Sequence, residues 1–78
     1  MLETEKAVFA AITDRWRVRK QTIFTYGDLI EYMNRSGIDA DIEVVLRELQ
    51  GRGLVEHRPP DMIMLTPEGM AEGLRAIP

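Results

Sequence analysis

Apolar positions in the first quarter of the chain recur every three or four residues, the spacing that places side chains on one face of a helix. These positions are Val8, Phe9, Ile12 and Trp16. They predict a first helix over residues 4–19. Its end is rich in cations, which the carbonyl end of a helix favours: Arg15, Arg17, Arg19 and Lys20. The β-forming residues within 21–24 predict a very short strand after it.

A second helix is predicted to begin at Thr25, because Thr25 and Asp28 form a T-x-x-D capping pattern. Gly37 is typical of the left-handed stop that ends a helix. The apolar face between these two signals consists of Tyr26, Leu29, Ile30 and Met33. The pattern therefore predicts a helix of about three turns.

Only Gly37 and Ile38 separate that stop from Asp39, where we predict the start of a third helix that ends near Arg52 and Gly53. Its apolar face consists of Ile42, Val45, Leu46 and Leu49. Two helices joined by so short a turn predict a helix-turn-helix.

After Gly53 the pattern changes to two short β-type runs, over residues 54–58 and 62–66, joined by the turn formers of 59–61. They predict a hairpin, with Met62 and Met64 facing outward from its second strand. Thr66 and Pro67 suit the cap and first position of a short last helix. The apolar stripe predicted for that helix is Met70, Leu74 and Ile77.

The order helix, short strand, helix, turn, helix and hairpin is that of the winged helix-turn-helix. The pattern L-x-x-L-x-x-R-G-L-V-E over 46–56, followed by I-M-L-T-P-E-G over 63–69, resembles the recognition helix and wing of MarR- and PadR-like transcriptional regulators. The resemblance covers roughly residues 25–74.

We therefore expect an α+β fold, mainly α, in which a three-helix core carries a small β-hairpin wing and a short C-terminal helix. Residues 1–78 are predicted to form one winged-helix domain. The predicted core consists of Phe9, Ile12, Trp16, Leu29, Met33, Leu46, Leu49, Val55, Leu65 and Leu74.

The composition limits the kinds of site that the chain can form. The chain has no cysteine and one histidine, His57, so we expect no transition-metal site, no cofactor and no enzymatic activity. The longest apolar runs are only a few residues, so we expect no membrane segment and a cytoplasmic location. The net charge is −3 and the sequence pI about 5.0, which is the opposite of the basic balance usual in proteins that bind nucleic acid.

Duplex DNA is nevertheless the partner that the resemblance implies, for a small regulator whose third helix enters the major groove and whose hairpin lies on the backbone. Arg47 could pair with guanine, while Thr25 and Arg58 could contact phosphate. The predicted DNA-binding residues are Thr25, Tyr26, Ala40, Glu43, Val44, Arg47, His57 and Arg58.

The alternative is a winged helix that binds protein, as a homodimer or as an interaction module, without binding DNA. Residues 39–52 carry four carboxylates and two guanidinium groups, a net charge of −2 that suits a basic partner. Met62, Met64 and Val44 could supply apolar contact area. Gly69 and Gly73 on the last helix could allow close contact with another backbone, either in a dimer or within the chain.

Overall fold

The computed structural model describes residues 2–75, which form four helices and one three-stranded sheet. The elements are α1 Glu3–Arg19, β1 Ile23–Thr25, α2 Tyr26–Arg35, α3 Ile42–Gly51, β2 Val55–Arg58, β3 Met62–Leu65 and α4 Pro67–Arg75. Helices account for 62% of the described residues, so the expected α+β class, mainly helical, is confirmed. Within residues 2–75 no helix is both long and apolar enough to cross a membrane.

Two of the predicted helix starts are built by threonine caps. At the start of α2, the Asp28 amide donates to Thr25 Oγ1 and the Thr25 amide donates to Asp28 Oδ2, both at 3.1 Å. At the start of α4, the Thr66 hydroxyl accepts from the Gly69 amide at 2.9 Å and donates to the Gly53 carbonyl at 2.6 Å. The Thr66 hydroxyl therefore also ties the start of α4 to the turn that follows α3.

The third helix begins three residues later than predicted, at Ile42 instead of Asp39. Its N-cap is Asp41, whose Oδ1 accepts from the Glu43 amide at 2.9 Å. Either Asp39 or Asp41 could act as an N-cap by residue type. Asp41 is the one that directly precedes the helical pattern of buried and exposed side chains. The start at Asp39 was therefore wrong.

The connection between α2 and α3 is correspondingly longer than the predicted two residues and spans 36–41. Gly37 adopts the predicted left-handed conformation, with φ of 67°. Ile38 and Ala40 beyond it are partly buried against the core, and the chain bends at Ala40 before α3 begins. Ala40 therefore precedes α3 and does not lie on its outer face.

The sheet is antiparallel throughout, with strand order β1-β3-β2. Phe24 lies opposite Ile63, and both side chains point into the core. The opposite face of the sheet carries Ile23, which is 52% exposed and pairs with Met64. Met62 is exposed on this outer face and Met64 is partly buried, so Met62 faces solvent as predicted and Met64 does so only in part.

A single hydrophobic core lies between the helices and the sheet. Its fully or almost fully buried members are Val8, Phe9, Ile12, Phe24, Leu29, Met33, Val45, Leu46, Leu49, Leu54, Val55, Ile63 and Leu65. Eight of the ten predicted core residues are among them. Trp16 is only partly buried at the margin, and Leu74 is 56% exposed, so its assignment to the core was wrong.

The last helix packs through its glycines and through Met70 of the predicted apolar stripe, but not through Leu74. Gly69 and Gly73 are buried, whereas Met70 is only partly buried and Leu74 is exposed. A Cβ atom at Gly73 would lie 2.6 Å from Cγ2 of Thr13 on α1. The glycine spacing is thus used for close contact within the chain. Ile77, the third residue of the predicted stripe, lies outside the described residues.

Candidate nucleic-acid interface

The outer face of α3 is exposed because the opposite face supplies three core residues. Val45, Leu46 and Leu49 are buried at helical spacing, which turns the intervening positions toward solvent. The exposed positions are Glu43, Val44, Arg47, Gln50 and Gly51. Of the predicted site residues, α3 therefore brings Glu43, Val44 and Arg47 together on one surface, which we call the α3 face.

Arg47 is the available cation of the α3 face. Within residues 2–75 no carboxylate lies within 4.0 Å of it, whereas Arg52, directly after α3, is paired with Glu48 at 2.8 Å. Val44 beside it is 54% exposed. A guanidinium group that is not in an ion pair can make hydrogen bonds to a flat group, such as the edge of a base, without first losing a partner.

Sequence reasoning missed Gln50, which is exposed three residues after Arg47 on the same face. Its amide carries both a donor and an acceptor, the combination that pairs with adenine in the major groove. The helical period would have identified it, since residues three apart lie on the same side of a helix.

Carboxylates dominate the approach to α3. Asp39, Asp41 and Glu43 are all exposed, and no ion pair involves them in the described part of the chain. Asp41 is held by its capping bond to the helix, which fixes its charge at the N-terminal end. A polyanion would therefore meet repulsion at the start of α3 and attraction only from Arg47 onward.

The start of α2 and the tip of the hairpin form a second surface. The Tyr26 amide donates to the Asp61 carbonyl at 3.0 Å, and Thr25 pairs with Met62, which pairs on its other side with Arg58. The rings of Tyr26 and His57 have their centroids 5.7 Å apart at 36°. The four residues lie close along the backbone, in a region we call the α2–hairpin corner, but their side chains divide between two faces: His57 lies with Tyr26 on the inner side, and Arg58 points to the outer face of the sheet.

Two polar side chains of this corner already have partners within the chain. The Thr25 hydroxyl serves the α2 cap, and Arg58 lies 3.4 Å from Glu56 on the same exposed strand face. An exposed ion pair of this kind contributes about 0 to 1 kcal/mol, so Arg58 can exchange Glu56 for another anion at little cost. The Thr25 side chain acts by orienting α2.

His57 stacks on Tyr26 with its Nε2 atom buried, and that atom has no hydrogen-bond partner within residues 2–75. An unpartnered buried polar atom lowers stability by the desolvation it suffers. The ring therefore stabilises the corner by packing against Tyr26, and its nitrogen does not contribute.

We accordingly expect His57→Phe to raise the free energy of unfolding by about 1 kcal/mol, because it removes the unpartnered nitrogen and keeps a ring against Tyr26. Urea denaturation followed by circular dichroism measures this change. His57→Asn serves as the control and should lower the free energy of unfolding, since it removes the ring and keeps a polar group. A lower stability for His57→Phe would mean that the nitrogen has a partner.

The basic cluster at the end of α1 is partly engaged as well. The Arg15 guanidinium lies over the Tyr32 ring, 5.0 Å from its centroid, which ties α1 to α2. Burial raises the pKa of the Tyr32 hydroxyl above its ordinary value, and the positive charge of Arg15 opposes this rise. Arg17 lies 4.0 Å from Asp14. Arg15 thus has a structural role that the sequence pattern did not indicate.

Residues 2–75 bring no three His, Cys, Asp or Glu side chains into a group that could hold a metal ion. Comparisons of the chain with protein-family models, with curated proteins and with solved structures gave no significant match.

Proposed function

We propose that the chain is a winged helix-turn-helix domain that binds duplex DNA, as a small transcription regulator in the cytoplasm. The element order helix, strand, helix, helix and hairpin supports this proposal, and so does the strand order β1-β3-β2, which joins the hairpin to the strand before α2. In this arrangement α3 is the recognition helix and β2 with β3 forms the wing.

The observation that carries the proposal is the exposed Arg47 guanidinium of the α3 face, which has no carboxylate within 4.0 Å among residues 2–75. In the major groove it would donate to the O6 and N7 atoms of guanine. Gln50 is positioned to pair with adenine, and the exposed Val44 side chain suits contact with a thymine methyl group. The three side chains lie within two turns of one helix, so they would read neighbouring base pairs.

The α2–hairpin corner supplies the backbone contacts in this proposal. The Arg58 guanidinium can bind phosphate oxygens, whereas the Thr25, Tyr26 and Asp28 amides at the start of α2 already donate within the chain. Tyr26 adds a hydroxyl that can donate to phosphate. Such contacts fix the register of the protein on the duplex, and the α3 face then reads the sequence.

The carboxylates at the start of α3 limit the electrostatic part of the affinity. With Arg58 and few other cations near phosphate, about two counterions would be released on binding. The Kd should then rise only about tenfold between about 50 and 200 mM salt. Specificity in this proposal comes from the α3 face more than from charge.

The test is a fluorescence-anisotropy titration of a mixed duplex pool, followed by selection of the preferred sequence, with Arg47→Ala compared against the wild type. We expect Arg47→Ala to weaken binding to the selected duplex by about 1 to 3 kcal/mol, which is roughly 5- to 150-fold in Kd. It should also relax the preference at one base pair.

Arg75→Ala is the matched control, because it removes the same charge from α4, where Arg75 is 73% exposed and paired with Glu72 at 3.1 Å. The control should bind within about twofold of the wild type. If both variants lost the same amount of DNA affinity, the effect of Arg47→Ala would come from the change in net charge alone. Absence of binding at low salt would contradict the proposal outright.

A further inference from the structure

A shallow groove lies between the second half of α2 and the chain that leads into α3. Its volume is about 260 Å³. The apolar side chains that line it are Ile30, Met33, Ile38, Ala40 and Ile42. We propose that this groove binds a basic segment of a protein partner, which inserts an apolar side chain between α2 and α3. This inference goes beyond DNA binding and does not depend on it.

The groove exists because the connection between the helices is long. Gly37 turns the chain in the left-handed conformation, and the Ile38 amide then donates to the Met33 carbonyl at 2.8 Å. These two features hold the connection against the end of α2. Ala40, with its small side chain, leaves an opening where a larger residue would fill the space between the helices.

The floor and one wall of the groove carry apolar side chains that are incompletely covered, and Asn34 and Asp39 add polar atoms to the lining. Met33 is buried at the bottom, whereas Ile30 on the wall is 43% exposed. An exposed isoleucine facing a concave apolar surface gains stability when another apolar side chain covers it. The volume suits a large aliphatic or aromatic side chain of a peptide, so the groove selects for one apolar anchor.

The charge at the rim of the groove indicates which residues should flank the apolar anchor in the partner segment. Asp39, Asp41 and Glu43 lie in or beside the groove, while the nearest cation on the α2 side, Arg35, is paired with Glu31. Asp39 lines the groove itself, together with the amide of Asn34. This rim repels phosphate and acidic peptides and attracts lysine and arginine. The occupant is therefore a segment in which lysine or arginine flanks an apolar residue.

The proposal is tested with synthetic peptides added to the isotope-labelled chain and followed by amide NMR shifts. The probes are a helical peptide of leucine and lysine, the same peptide with serine in place of leucine, and a leucine and glutamate peptide. The leucine and lysine peptide should shift the amides of residues 30–42 saturably. The other two should bind at least about fivefold more weakly, since each lacks either the anchor or the positive charge.

Variants separate the groove from general attraction to an acidic protein. Ile30→Ser and Asp39→Asn should each weaken binding of the leucine and lysine peptide by about fivefold. Matched controls are Val18→Ser, at a residue 70% exposed on α1, and Glu68→Gln on α4, both of which should bind as the wild type does.

Equal binding of the serine and leucine peptides would overturn the proposal, as would shifts spread over the whole acidic surface or equal losses in variants and controls. The DNA titration reports on Arg47, so the two proposals fail independently.

Discussion

Replacing Gly69 with alanine is expected to lower the free energy of unfolding by about 3 kcal/mol, at the upper end of the usual cost of overpacking. A Cβ atom at this position would lie 2.1 Å from the Leu54 carbonyl oxygen and 2.7 Å from Cδ1 of Leu65. The nearer atom belongs to the backbone, so it cannot move aside as a side chain would. The helix α4 must therefore shift away from the hairpin.

The Leu54 carbonyl also accepts from the Thr66 amide at 3.2 Å, so displacing it disturbs the entry to α4 as well. Urea denaturation measures the loss. Gly51→Ala is the matched control, because Gly51 lies in α3 and, apart from nearby backbone of its own helix, no atom of residues 2–75 comes within 4 Å of an added Cβ. That change should raise the free energy of unfolding by about 0.5 to 1 kcal/mol. Similar stabilities for the two variants would contradict the packing of α4.

Phe24→Ala is expected to lower the free energy of unfolding by about 3 to 5 kcal/mol, the usual cost of removing a buried phenylalanine ring. Phe24 is fully buried at the centre of β1 and lies opposite Ile63. Because β1 has three residues, this one ring supplies most of what holds the strand against the core. A domain of this size has roughly 4 to 12 kcal/mol in total, so the variant should be largely unfolded in mild denaturant.

Ile23→Ala is the control for this prediction, since Ile23 is the preceding residue of the same strand and lies on the outer, exposed face of the sheet. It should cost less than about 1 kcal/mol. Circular dichroism and urea titration compare the two variants. If Ile23→Ala destabilised the fold as much as Phe24→Ala does, β1 would have the opposite face toward the core.

The features predicted correctly from the sequence are those with local causes. The Thr25 and Asp28 cap, the Thr66 cap and the left-handed Gly37 each follow from chemistry within a few residues. The apolar period of α3 likewise predicted the burial of Val45, Leu46 and Leu49. These signals need no knowledge of the rest of the fold.

The errors arose where tertiary packing decides. A three-residue strand is too short to show a period, so the pattern did not identify Phe24 as a core residue. Leu74 was placed in the core because it continues the apolar stripe of Met70, whereas α4 approaches α1 closely through Gly73, whose role within the chain the sequence left open beside a dimer contact. A buried glycine has no side chain and so no hydrophobic signal.

The same distinction between local and tertiary causes applies to the candidate site. The exposure of Arg47 and Val44 follows from the helical period and was predicted. The pairing of Arg58 with Glu56 and the stacking of His57 on Tyr26 depend on the register of the hairpin and its contact with α2, which the sequence does not encode locally. The groove at 30–42 depends on where α3 begins.

We propose that the α3 face and the α2–hairpin corner together bind duplex DNA. The most direct test of this proposal is the amide NMR spectrum of the isotope-labelled chain, titrated with a short mixed-sequence duplex at low salt. We expect shifts at residues 43–51, at Thr25 and Tyr26, and at His57, Arg58 and Asp61, with little change in α4. Shifts confined to the basic end of α1, or no shifts at all, would contradict it.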